Sequence, residues 1–232
     1  MNHILVSSVA FITVLLTALY YSQSGLKWNC NNPIVSNYLY LILAFVGVYM
    51  FISILSNSPQ LFVNHYMFFV IAILTLVIIY FLITIPSQNF ITKHIFWFIF
   101  LFLISYIMTP RFLNSSSSIY IKSIIISIII FVGMSILGHI FKDNIPLGMT
   151  KYLLGALIVL ILAIIMSFIF GVSREYMKSI SIVGVVIFVL FILVDTKRLY
   201  SINCDNPDYI NNSTHLFLDG INLFSSIHNL QN

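Results

Sequence analysis

The feature that most constrains this chain is the repetition of apolar runs, each close to the roughly 20 residues an α-helix needs to cross a bilayer core about 30 Å thick. They fall at 4–21, 38–55, 66–85, 95–108, 119–141, 152–170 and 180–194, with a weaker run at 216–230. Lipid offers no partner to backbone N–H and C=O groups, so such runs must be helices that satisfy their own hydrogen bonds. The breaks between them are built from Pro, Asn, Ser and charged residues, as at Pro33, Pro86, Pro110, Asn114–Ser118 and Pro146. The pattern predicts an all-α membrane protein, one polytopic domain over 1–232 with about seven crossings. A water-soluble domain is excluded, because 60% hydrophobic and 7% charged residues, with a mean hydropathy of +1.06, leave too little polar surface.

The two ends of the chain need separate treatment. The run 4–21 has no Lys or Arg ahead of it and no small-residue cleavage site, so it reads as a retained span rather than a signal peptide. The last run carries Asp219, Asn222, His228 and Asn229, and it either crosses or re-enters against the bundle. Lys27, Lys93, Lys142, Lys151, Lys197 and Arg198 fall in breaks on one side; Arg111, Lys122, Arg174 and Lys178 fall on the other. That bias places the first group in the cytoplasm and the N-terminus outside it. The formal charge is +4, but the cations are scattered rather than gathered into a stripe, so nucleic acid is not an expected partner.

Most other reactive residue types have an ordinary reading. Cys30 and Cys204 lie in breaks without a metal-ligand companion, and neither zinc nor a disulfide is expected. His139, His215 and His228 read as satisfied interface histidines. Gly133, Gly138 and Gly184 read as close-packing positions. Trp97, Tyr66, Tyr152 and Tyr200 read as interfacial anchors. No Ser, Cys or His constellation suggests nucleophilic catalysis and no glycine-rich phosphate loop occurs, so neither enzymatic activity nor a cofactor is expected.

The acids are more informative. Asp143, Glu175, Asp205 and Asp208 lie in breaks, where a solvated carboxylate needs no explanation. Asp195 instead ends the run Phe188–Val194, and Asp219 lies within Leu216–Phe224. An ionised carboxylate in a span costs roughly 2.5 to 3.5 kcal/mol on insertion scales, and such residues mark ion or proton pathways. If the two helices pack together, the carboxyls share a low-dielectric site and titrate as a unit. A shared proton would hold the helices; its loss would open an oxygen-lined passage suited to hard cations such as Ca²⁺. The plainer alternative pairs Asp195 with Lys197 or Arg198 and leaves Asp219 bonded locally.

Three pieces in order, Asp195-Thr-Lys-Arg-Leu199, Asn206-Pro-Asp-Tyr209 and Leu216-Phe-Leu-Asp-Gly-Ile-Asn-Leu-Phe224, resemble the closing helices of the Bax inhibitor family, also called the transmembrane Bax inhibitor motif family and including Golgi anti-apoptotic proteins. The resemblance implies a seven-helix bundle around a short last helix, here with an added N-terminal span. It also implies a pH-sensitive Ca²⁺ leak that restrains cell death. The family's functional pair falls on Asp195 and Asp219, as gate and transient Ca²⁺ ligands, with Asn222, Lys197 and Arg198 in support. Calcium-leaking members carry a basic partner on an early span; 38–55 and 66–85 contain none, which leaves His65 or Tyr66 as a substitute.

The expected setting is therefore a lipid bilayer, endoplasmic reticulum or Golgi (a host cell's, for a viral chain), or the plasma membrane for a bacterial one. Ca²⁺ or another cation is the expected solute. The competing expectation keeps the fold without conduction and binds other membrane proteins of cell-death or immune signalling; proton-coupled transport is a third, weaker one.

Overall fold

A computed structural model of the protein describes residues 11–13, 16, 33–62, 65–201 and 208–231. Most of the expected first span lies outside these residues, as do Lys27, Cys30, Cys204, Asp205 and the side chain of His65. The described chain forms helices α1 (Pro33–Leu55), α2 (His65–Thr84), α3 (Phe90–Asn114), α4 (Ser117–Ile140), α5 (Met149–Phe170), α6 (Arg174–Arg198) and α7 (Tyr209–Gln231). Helices α1 to α6 are long and apolar enough to cross a membrane, so the protein is an all-α, multi-pass membrane protein. Helix α7 has the length but not the hydropathy.

Several helices outrun the apolar runs that predicted them. Helix α3 does not stop at Met108; it continues through Pro110 to Asn114. A proline removes a single N–H, and neighbouring hydroxyls and helices make this tolerable in a membrane; next to it, Thr109 Oγ1 donates to the Ser105 carbonyl at 2.7 Å. Helix α6 starts at Arg174 and ends at Arg198, with Ser173 capping Tyr176 N–H, Glu175 in the first turn and Lys197 and Arg198 in the last. Those charges suit the positive and negative ends of the helix dipole. The last helix is not short: it begins seven residues before the apolar run and extends over 23 residues.

The chain divides into two compact units, one made of 1–114 with 202–214, the other of 115–201 with 215–232. In the first, α3 packs against both α1 and α2, burying Leu43, Trp97, Phe100 and Leu101. Trp97 is thus not an interfacial anchor. It is fully buried, because Tyr40 meets it edge-on at 5.7 Å. In the second unit α6 packs against both α4 and α5, around Leu160, Ile187, Phe188, Phe191, Ile192 and Leu223. Ile73 and Leu76 of α2, Ile125 and Ile129 of α4, and Ile158 and Val159 of α5 stay exposed. In a bilayer such side chains face acyl chains at no cost.

Two of the three glycines expected at close contacts are there. A Cβ on Gly138 would lie 2.9 Å from the Leu193 carbonyl oxygen, and one on Gly184 would lie 2.7 Å from Ser226 Oγ. A Cβ on Gly133 would meet nothing within 4 Å, so that position is not a packing contact.

Candidate functional site

Helix α6 buries Ile180, Gly184, Ile187, Phe188, Phe191 and Ile192, a stripe at the period of one helix face. Asp195 continues that stripe and is 6% exposed. Asp219 sits in α7 among Leu216, Phe217 and Leu223, all fully buried, and is itself 7% exposed. Within the second unit the two carboxyls are close enough to influence each other directly. Ionised carboxylates only accept hydrogen bonds, so a hydrogen bond between the two would need a proton on one of them. In keeping with this, Asp219 Oδ2 is buried and meets no donor among the described residues.

A cation completes the arrangement. Arg198 Nη1 lies 3.2 Å from Asp195 Oδ1, one turn further along α6. With one proton shared, the two carboxyls and Arg198, whose side chain is 35% exposed, would carry no net charge. Lys197 Nζ donates to the Ile145 carbonyl. Asn222 is half-buried one turn beyond Asp219, where its carbonyl accepts from Ser226 Oγ at 2.9 Å. Tyr66 is 83% exposed on α2. A metal-binding group of three or more His, Cys, Asp or Glu does not form among the described residues.

A second polar cluster, in the first unit, was not legible from the sequence. Lys93 is not a solvated loop cation: it lies in the first turn of α3, 2% exposed, paired with Asp208. Its Nζ also donates to the Ile85 carbonyl at 2.8 Å. Asp208 is not an idle loop acid either, because its Oδ1 accepts from Asn211 N–H at 3.1 Å and so caps α7. Beside them Tyr40 hydroxyl bonds His94 Nε2 at 2.9 Å, and the Tyr40 and Tyr209 rings stack at 6.4 Å. Lys93 and Asp208 each stand beside a Pro-containing break, which made both look hydrated.

His228 is a satisfied interface histidine. It is buried, with Nε2 2.7 Å from Ser115 Oγ and Nδ1 3.4 Å from Ser123 Oγ. Ser123 Oγ donates to the Ile119 carbonyl at 2.8 Å, which leaves its lone pairs to accept from the ring.

Membrane-crossing helices with two neighbouring buried carboxyls define a class: polytopic proteins with ionisable groups among their helices. The family model described as "Inhibitor of apoptosis-promoting Bax1" matches residues 31–231. The chain belongs to that family, the Bax inhibitor family, and thus to a group of anti-apoptotic membrane proteins. The match runs through α1 to α7, well beyond the closing helices in which the motifs lie, and begins after the expected added span. No curated protein matches the chain.

Proposed function

We propose that the protein is a pH-gated cation leak, with Ca²⁺ as the most fitting ion, that lowers the content of an intracellular store and so restrains cell death. The observation that carries this reading is the buried Asp195–Asp219 contact with Arg198 beside it. With the proton in place the carboxyls attract and the site is closed. Without it two like charges repel in a poorly screened interior, and the helices that bear them part to expose carboxylate oxygens, ligands that suit Ca²⁺. Flux should therefore rise with pH. In this reading Arg198, rather than His65 or Tyr66, stands in for the basic residue that calcium-leaking relatives carry on an early span, and endoplasmic reticulum or Golgi is the membrane proposed.

The burial of both carboxyls also supports a second reading. A dry, neutral pair can simply fasten α6 to α7 in a protein that acts by binding other membrane proteins of cell-death or immune signalling. Ca²⁺ efflux from proteoliposomes, followed from mildly acidic to mildly alkaline pH, separates the two. The leak requires a flux that climbs with pH and becomes flat in Asp219→Asn, whose amide keeps a hydrogen bond without the charge. Folded protein with no flux above empty liposomes would leave the partner-binding reading.

A further inference from the structure

Helix α4 ends at Ile140, α5 begins at Met149 and α6 ends at Arg198. In the second unit these three termini share one membrane boundary, since α4 and α6 each run towards it and α5 runs away. Basic residues that the leak does not use collect there: His139 and Lys142 at the end of α4, Lys151 in the first turn of α5, and Lys197 in the last turn of α6.

They are held rather than loose. Lys142 Nζ stands 4.8 Å over the ring of Tyr200, the Tyr200 hydroxyl pairs with His139 Nδ1, and Lys197 Nζ is anchored on the Ile145 carbonyl. The ring face and the carbonyl each occupy one side of an ammonium and leave its other N–H groups for a further acceptor. Among the described residues neither Lys142, Lys151 nor Lys197 has a carboxylate partner, whereas Arg198 is taken by Asp195. Gly148, the N-cap of α5, provides no side-chain cap at the same boundary, so the first-turn amides add to the positive field.

We infer that this end of the second unit binds the phosphate headgroup of an anionic phospholipid, with Lys142 and Lys197 supplying charge and Tyr200 and His139 the frame. The source is a lipid because the cluster lies where three spans end, at headgroup depth. It also lies on the side that the cation bias assigns to the cytoplasm, the leaflet that carries anionic lipid.

The test uses the full chain in nanodiscs of phosphatidylcholine doped with phosphatidylserine, with lipid retention read by native mass spectrometry. Wild type retains phosphatidylserine over phosphatidylcholine. Lys142→Gln and Lys197→Gln each lower that preference about fivefold, while Lys178→Gln, at the opposite end of α6, leaves it unchanged. The proposal is overturned if wild type shows no preference, or if folded Lys142→Gln and Lys197→Gln proteins, checked by circular dichroism, retain it in full. It is equally overturned if Lys178→Gln loses as much. Displacement of the lipid by inorganic phosphate at comparable concentration would assign the site to a free anion instead.

Discussion

Asp195 has partners of opposite character: Asp219, which requires a proton, and Arg198, which favours its absence. The balance between them sets where a leak would open. Arg198→Gln removes the charge that makes an ionised pair tolerable, so the rise of Ca²⁺ flux in proteoliposomes should move to more alkaline pH. Lys197→Gln should leave the midpoint in place, because that ammonium contacts the Ile145 carbonyl and neither carboxylate; equal shifts in both variants would refute this division of labour. Lys93 offers a separate test. Asp208→Asn keeps an adequate helix cap but strands a buried ammonium, which costs on the order of 3–5 kcal/mol. The double variant Lys93→Met, Asp208→Asn should recover most of that loss when unfolding is followed in mixed micelles. The aspartate pair was legible because an acid in an apolar run has no ordinary explanation. The Lys93–Asp208 pair was not, because its members lie 115 residues apart and each borders a stretch that looks hydrated.

At the scale of helices, each of α1 to α7 overlaps one apolar run, but many ends lie beyond it. Solvation decides why: a span must be apolar in its middle, while its last turns sit among headgroups and accept Arg174, Glu175, Lys197 and Arg198 as readily as a loop would. Close contacts between helices are a finer matter, and the glycines test them. Gly138→Ala places a methyl against the backbone carbonyl of Leu193, which cannot turn aside, and should cost about 1–3 kcal/mol. Gly184→Ala meets only the hydroxyl of Ser226, which can rotate, and should cost less. Gly133→Ala meets nothing and should be neutral or stabilising, as alanine is the better helix former. Unfolding titrations of the three variants in mixed micelles should return that order, and a Gly133 variant as damaged as Gly138 would contradict it.

At the scale of the whole molecule, the two units are assembled alike, each with one helix packed against two others, yet the chain does not complete them in turn. Asp208 and residues 209–214, the first turns of α7, belong with α1 to α3, whereas the rest of α7 belongs with α4 to α6. Fragments 1–114 and 115–232, co-expressed, should therefore be recovered together, and Asp208→Asn should reduce the yield of the complex. Separate recovery of the two would refute the assignment of residues 208–214.

That interleaving has a consequence for how the protein is made. Lys93 enters the membrane long before its counter-ion exists, and at translation rates of about 5–20 residues per second the wait is on the order of ten seconds. Until Asp208 is made, α1 to α3 can bury that ammonium only without its carboxylate, at a desolvation cost the last helix removes. A chain cut short before Asp208 should therefore accumulate less than the full chain.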